Sequence, residues 1–458
     1  MTRYFDITDL VRFARANGNV SGIQRVQIRV LRHLAAICND DDAMCIFAPG
    51  RLSRLRSCRA RDLFVDETYD AGQLLAKLGL ENPTGAFTKR ELYEHLGRYP
   101  KGSLRRAVKK LELTILARLA PSFARDQMGL HPHACNQEMD GLQIKTRPVK
   151  RLQADDHLVM IGTNWNVSEI ESVAKRHARR NGKVTQVVYD LIPYRHPEYC
   201  IDSLAKKFSG FLARSREFTS HYICISEATK QDLQAYLTEH GSEARVDAWP
   251  LAHEFEGYQR NSRAVVSSDP EVARETEQPF VLCVGTIEVR KNGIALLRAW
   301  QKLIAELGDA TPRLVFAGKF GWKIEPFREL LESDESLQKW VRIFPRPTDD
   351  DLASLYQRCL FTAYPSLVEG WGLPVGEAAW FGKYSVVSSS SSLPEVCGDL
   401  VDYVAPTNVD EMAAVLTRAI LDPGYRCHKE AIIEISPLRS WTDCAAHFWR
   451  LVPSLPEA

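Results

Sequence analysis

From residue 157 onward, short apolar runs alternate with longer stretches whose apolar positions recur at three- and four-residue spacing. The first pattern reads as buried strand and the second as amphipathic helix. Their alternation predicts an α/β protein with parallel sheets. In the first half, HLVMIGTNW (157–165), KVTQVVYDLIP (183–193), HYICIS (221–226) and a stretch around ARVDAWPL read as strands. NVSEIESVAKRHARRNG, residues 201–218 and EATKQDLQAYLTEHG read as the helices between them. Residues 257–278 are polar, show no apolar period and read as a linker.

After that gap the rhythm restarts. PFVLCVGT (279–286), PRLVFAG (312–318), VRIFP (341–345), LFTAYPS (360–366) and YSVVSS read as strands. GIALLRAWQKLIAELG, DDLASLYQRC, LPVGEAAWFG and VDEMAAVLTRAILD read as helices, and SPLRSWTDCAAHFWRLV (436–452) as a terminal one. Thr348-Asp-Asp-Asp351 reads as a capping box opening a helix rather than as a metal cluster. Two such units joined by a connector are expected to face a shared cleft, with ligands beyond the carboxyl ends of the strands.

One segment breaks the rhythm. Residues 98–125 carry eight Lys/Arg and a single Glu, and Leu104, Val108, Leu111, Ile115 and Leu119 form one apolar stripe. Arg105, Arg106, Lys109 and Lys110 lie mostly off it. Two readings stand: a basic amphipathic helix lying on an anionic membrane surface, or a helix packed on its own domain with a solvated basic face.

Charge and composition narrow the classes. The 458 residues hold 59 Lys+Arg against 58 Asp+Glu, a formal net charge of +1, which points away from bulk nucleic-acid binding. No apolar run approaches the roughly 20 residues of a membrane span, and the amino-terminal MTRYFDITDLVRFARANG lacks a secretory layout. Eleven cysteines without a CxxC pair, mostly inside apolar strings, read as reduced core residues. A cytoplasmic protein is expected, either free or peripheral at the inner face of the cell membrane. His131-Pro-His133-Ala-Cys135 lacks a fourth nearby ligand and reads as a loop. No metal and no cofactor is expected.

The candidate chemistry concentrates in the second half. Ser366-Leu-Val-Glu369-Gly370-Trp371-Gly372-Leu373-Pro374-Val375-Gly376-Glu377 follows a buried strand and opens a helix. Its glycines allow close backbone approach, Pro374 suits a first helical turn, and the helix start offers unpaired N–H donors to a phosphate. Glu369 falls in the loop and Glu377 in the first turn, where one carboxylate can accept from sugar hydroxyls and the other from a ribose. The plainer alternative is a strand–turn–helix with Glu377 as a dipole-favoured acid. Gly285-Thr-Ile-Glu-Val-Arg290-Lys291-Asn292 places two adjacent cations after another strand, suited to a diphosphate. Gly318-Lys319-Phe320-Gly321-Trp322 supplies a third strand end on the same rim.

These segments, GTIEVRKN (285–292), RLVFAGKFGW (313–322), LASLYQRCLFTAYPSLVEGWGLPVGEA (352–378) and SSLPEVCGD (391–399), resemble the donor-binding domain of family 4 retaining glycosyltransferases. Glu369 and Glu377 match that family's E-x7-E motif. The first half is similar more faintly, through GNVSGIQRV (18–26), YDLIPYRHPEY (189–199) and ISEATKQDL (225–233). The resemblance implies the GT-B fold: two Rossmann-like domains with parallel sheets facing a central cleft. It implies an acceptor-side domain over 1–262 carrying the basic insertion, a donor domain over 263–436, and a helix over 437–458 crossing back to the first domain.

The roles implied by the resemblance are these. Arg290 and Lys291 hold the diphosphate, and Glu369 with the backbone of Gly370, Trp371, Gly372 and Leu373 contacts the transferred sugar and nearby phosphate. Glu377 takes the ribose hydroxyls. Gly285, Gly318 and Lys319 belong to the donor rim, and Gly22 lets a loop close over the phosphates. Asp190 and His196 line the acceptor side. In many relatives a histidine precedes the Asp of the DLIP segment; here Tyr189 stands there, which puts a histidine contact to the sugar in question, with His196 as a substitute.

The implied reaction is transfer of a hexose from a nucleotide-sugar, GDP-mannose favoured, with retention and no protein nucleophile. The implied acceptor is a glycan or lipid-linked glycan of surface polysaccharide synthesis. No GxGxxG or Walker A pattern supports a dehydrogenase or a P-loop enzyme. The remaining alternative is a non-catalytic, nucleotide-sugar-binding or scaffolding relative.

Overall fold

The computed structural model describes residues 2–15, 22–39, 42–50, 53–64, 70–80, 95–96, 99–100, 103–119, 143–260 and 265–452. The His131–Cys135 cluster and residues 16–21 lie outside them. Two sheets organise the chain. The first contains β1 (Arg3–Asp6), β2 (Ala43–Phe47), β3 (Leu55–Arg59), β4 (Arg147–Val149), β5 (His157–Met160), β6 (Lys183–Val188), β7 (His221–Cys224) and β8 (Arg245–Ala248). Its order is β4-β3-β2-β1-β5-β6-β7-β8. The expected parallel core is present, but β3, second from the edge, pairs antiparallel with both β2 and β4 and runs against them.

The second sheet contains β9 (Phe280–Val284), β10 (Arg313–Ala317), β11 (Val341–Phe344), β12 (Phe361–Tyr364), β13 (Ser385–Ser388) and β14 (Asp402–Val404). Its order is β11-β10-β9-β12-β13-β14, and every pairing recorded in it is parallel. Side chains alternate between two cores, as a strand's two-residue period requires. Val281, Cys283, Leu314 and Phe316 join one cluster with Trp300 and Leu296 of the helix Gly293–Leu307. Phe280, Leu282, Val284, Val315 and Ala317 join another with Tyr356 and Phe381. Both faces are therefore covered, which is why these strands read as continuous apolar runs.

The chain divides into two compact units, Met1–Gln186 with Glu217–Ser220, and Val187–Arg216 with His221–Val452. That division falls earlier than the expected 262/263 boundary. Links inside the second unit account for it: Trp322 Nε1 donates to the Tyr199 carbonyl at 2.7 Å. The Glu395 carboxylate accepts from the Glu227 and Ala228 amides at 2.6 and 2.7 Å.

Three expectations are refined. The supposed linker contains a helix, Pro270–Glu275, capped by Asp269, with Val272 buried and Glu275 paired with Arg313 at 2.7 Å. Thr348 and Asp351 do form the capping box, opening the helix Asp349–Arg358. The terminal helix, Trp441–Leu451, packs on the segment after β8: Trp249 Nε1 donates to the Cys444 carbonyl at 2.9 Å, and Trp441 Nε1 to that of Glu254 at 3.0 Å.

The basic segment forms the helix Leu104–Leu119. Val108 and Leu111 of its stripe are 56% and 63% exposed, whereas Leu113, off the stripe, is fully buried. The helix thus packs through Leu113, while these two stripe positions are open. Arg106 is held by the Tyr99 carbonyl at 3.0 Å and Lys109 by Glu112 at 3.0 Å. Among the described residues no helix is long and apolar enough to cross a membrane. The ten described cysteines are all unpaired, and of these Cys427 alone is exposed.

Candidate functional site

In the second sheet β9 pairs with β10 on one side and β12 on the other, so the chain reverses its winding between β9 and β12. Loops leaving the carboxyl ends of two such strands diverge and leave room for a ligand. The β9 loop carries Arg290 and Lys291; the β12 loop carries Glu369. A backbone hydrogen bond from Leu367 N–H to the Arg290 carbonyl at 2.8 Å ties them together. Asn292, in the left-handed region at φ 56°, donates its amide to the Pro365 and Pro406 carbonyls at 3.0 and 2.8 Å.

The charged groups converge on one carboxylate. Arg290 Nη1 lies 2.6 Å from Glu369 Oε2, and Lys291 Nζ lies 2.6 Å from Glu369 Oε1. Arg290 also reaches Glu288 Oε1 at 2.9 Å and donates to the Val368 carbonyl at 2.9 Å. Tyr364, the last residue of β12, donates its hydroxyl to Glu369 Oε1 at 3.1 Å and also receives Lys291. Glu369 is 8% exposed, so these pairs sit largely out of water, where charge-assisted contacts are strong.

Burial alone would raise the Glu369 carboxyl, but Arg290 and then Lys291 outweigh it and bring it down to about 2. Burial would lower Arg290, yet Glu369 and Glu288 push it above its usual value. Lys291 moves the other way: lost hydration lowers it more than Glu369 raises it, and Arg290 adds to the lowering. Asp190 is raised by burial, with Arg290 opposing.

The loop after Glu369 is fixed by close packing. The Ser391 hydroxyl accepts from the Glu369 amide at 2.8 Å, and the Ser392 hydroxyl donates to the Glu369 and Trp371 carbonyls at 2.9 and 3.1 Å. A methyl group at Gly370 would stand 2.1 Å from the Tyr189 carbonyl oxygen and 3.0 Å from Asp190 Cβ. Asp190 is therefore brought against the Glu369 loop. Among the described residues, the amides of Gly370, Trp371, Gly372 and Leu373 have no protein acceptor, and the buried Trp371 Nε1 has none either.

Other predicted positions fall differently. Glu377 lies in the second turn of the helix Leu373–Trp380, not the first, because the helix opens at Leu373 with Pro374 in its first turn. It is buried and accepts from the Tyr356 hydroxyl at 3.1 Å. Gly318 has a packing reason, since a methyl group there would stand 2.0 Å from the Gly285 carbonyl oxygen, and Gly285 a backbone one, its φ of 136°. Lys319 is exposed and its side chain has no partner among the described residues. His196 pairs with Glu198 at 3.2 Å and stacks on Tyr199, outside the ion-paired cluster. Gly22, at φ 54°, precedes the helix Ile23–Ile37 in the first unit and is exposed.

Sequence reasoning gave no role to Glu288 and Tyr364. Glu288 was findable as the acid two positions before Arg290; Tyr364 carried no such signal, since a tyrosine closing the buried strand FTAY reads as core. Among the described residues no group of three or more His, Cys, Asp or Glu is placed to hold a metal ion.

A glycine-lined loop, a helix start with free amides and an ion-paired acid thus meet at the switch point of the second sheet. Residues 267–434, within the second unit, match the family described as Glycosyl transferases group 1. Over 149 residues the chain is 36% identical to the O-antigen chain mannosyltransferase B of Escherichia coli, covering 32% of this chain and 39% of that one. Over 199 residues it is 29% identical to the serotype-specific mannosyltransferase WbdA of Escherichia coli, covering 42% of this chain and 24% of that one. The matches thus span between a quarter and two fifths of these relatives' lengths. In fold, the chain is similar to a sucrose-phosphate synthase from Thermosynechococcus elongatus at a TM-score of 0.53 and 15% identity, over 98% of both chains. That likeness extends over both sheets and gives the GT-B fold that the motifs implied.

Proposed function

We propose that this protein is a retaining glycosyltransferase that moves a hexose from a nucleotide-sugar, GDP-mannose favoured, to a glycan or lipid-linked glycan acceptor in surface polysaccharide synthesis. The observation that carries the reading is the single buried carboxylate, Glu369, ion-paired to both Arg290 and Lys291 at the switch point. The mannosyltransferase relatives favour the mannosyl donor, and the Glycosyl transferases group 1 domain favours hexosyl transfer.

In this reading the donor diphosphate lies against Lys291, Arg290 and the free amides of Gly370 to Leu373, and Glu369 exchanges part of its cation contact for a sugar hydroxyl. As the glycosidic bond breaks, negative charge gathers on the leaving diphosphate, and cations already fixed in place stabilise it without reorganisation. Retention without a protein nucleophile corresponds to displacement on one face, the leaving phosphate taking the acceptor proton. Asp190, beside Gly370, belongs to the acceptor side, and Glu377 to the ribose side. Residues 1–262 serve as the acceptor-side domain and 263–436 as the donor domain. The exposure of Val108 and Leu111 on the helix Leu104–Leu119 supports a peripheral position on an anionic membrane surface.

The test is transfer of radiolabelled mannose by purified Glu369→Gln, which keeps side-chain volume and removes the charge. Turnover is expected to fall by about 10²–10³, the range for losing one preorganised electrostatic contact, with an unchanged circular dichroism spectrum. Wild-type turnover in this variant would exclude the proposed role of Glu369. A scaffolding protein would show neither transfer nor slow donor hydrolysis in the wild-type chain.

A further inference from the structure

A separate cavity of about 1230 Å³ lies wholly within the first unit. Arg12, Arg54, Lys150, Arg151, Arg176 and Arg180 contribute to its described lining. Glu169 is the one acid there, and Arg12 already takes it at 2.6 Å. The other five cations form no side-chain hydrogen bond or ion pair among the described residues. A chain with a formal net charge of +1 does not gather five unmatched cations around one concavity through composition alone.

The placement is built by the fold. Leu55 of β3 faces Val149 of β4 in an antiparallel register, so Arg54 and Lys150 stand across from one another one step beyond that rung. Like charges opposed at such a position are destabilising. Arg176 lies near the end of the helix Ser168–Ala178 and Arg180 just past it, on a separate element. Cations from the edge strands and the helix thus share one basin. Their mutual repulsion is relieved when an anion occupies it. The volume exceeds the ~300–1,000 Å³ of common small-molecule sites, leaving room for a ligand body beside its charged groups.

We propose that this cavity binds a ligand carrying two or more phosphate groups, whether free or borne on a lipid headgroup. The inference uses first-unit residues alone and does not depend on the glycosyl-transfer reading.

The test uses full-length Arg290→Gln/Lys291→Gln protein, so that the switch-point cluster contributes no binding. Inorganic pyrophosphate is titrated calorimetrically into that protein and into one also carrying Arg54→Ser, Arg151→Ser, Arg176→Ser and Arg180→Ser. At least a tenfold loss of affinity is expected in the second, with retention when the same four positions are Lys and with a matching thermal melt. In a parallel arm, flotation with phosphatidylcholine vesicles, with and without cardiolipin, whose headgroup carries two phosphates, reads the lipid-borne source. Capture that needs cardiolipin and the four arginines, reversed by pyrophosphate, assigns the ligand to a lipid. Equal pyrophosphate affinity in both proteins, or no binding of either probe, overturns the proposal.

Discussion

At Glu369 one carboxylate faces two cations, and this sets what each substitution can report. Removing a partner from a buried ion pair costs about 3–5 kcal/mol, because the remaining charge is stranded out of water. Truncation to Ala would therefore mix folding with function, whereas Gln leaves a polar group of the same size. His253 gives a cleaner pH signal. It is 4% exposed, its Nε2 contacts the Val396 carbonyl at 2.7 Å, and its Nδ1 accepts from the Arg439 amide at 2.9 Å. Burial brings its pKa down to about 4, with the carbonyl contact opposing and Arg439 adding to the fall.

The unfolded chain binds that proton near pH 6.5 while the folded one resists it. The His253 contribution is thus complete above about pH 6.5 and is lost as pH falls towards 4. Over that window the wild type is expected to lose up to about 3 kcal/mol more in urea melts than His253→Gln. Parallel pH profiles for the two proteins would show that His253 is not held neutral. At this scale Arg290, Lys291 and Glu369 were legible because their spacing around glycines is distinctive. Tyr364 was not, since a strand tyrosine reads as core until its place at the strand end is known. His196, a few positions after Asp190, pairs with Glu198, a partner its sequence position did not reveal.

Among the elements, five of the six strands of the second sheet were legible to within a residue or two, because buried strands write an apolar run; β14, the three-residue DYV at the sheet's edge, was not. β1 to β4 were not: all four are short, and LRSCR, next to the edge, and RPV, at the edge, turn arginines to water and carry no such signal. The helix Pro270–Glu275 was hidden in a polar stretch because one buried residue, Val272, suffices to seat it. The helix Leu104–Leu119 was legible as a helix, but its packing was not, since sequence does not say which neighbour covers a stripe.

With Val108 and Leu111 open, that helix carries a direct expectation. Reversing Arg105, Arg106, Lys109 and Lys110 to Glu should abolish flotation with phosphatidylglycerol vesicles at low salt. Each basic residue near an anionic surface contributes about 1 kcal/mol. Unchanged flotation would remove the membrane reading.

For the whole molecule, the order β11-β10-β9-β12-β13-β14 matters more than any single strand. It brings residues almost eighty positions apart, Lys291 and Glu369, within hydrogen-bond distance. Sequence predicted strands and motifs but not this adjacency, which comes from the winding of the sheet. The antiparallel edge of the first sheet was equally invisible, and the basic cavity depends on it.

The central claim is that Arg290 and Lys291, at the switch point, hold the diphosphate of a nucleotide-sugar. The direct measurement is thermal unfolding with GDP-mannose for the wild type and for Arg290→Gln/Lys291→Gln. A donor at a hundredfold its Kd stabilises a folded protein by about 2.7 kcal/mol. The account expects the wild-type Tm to rise with donor concentration and the double variant, folded as judged by circular dichroism, to show no rise over the same range. An equal rise in both proteins would place the diphosphate elsewhere and contradict the account.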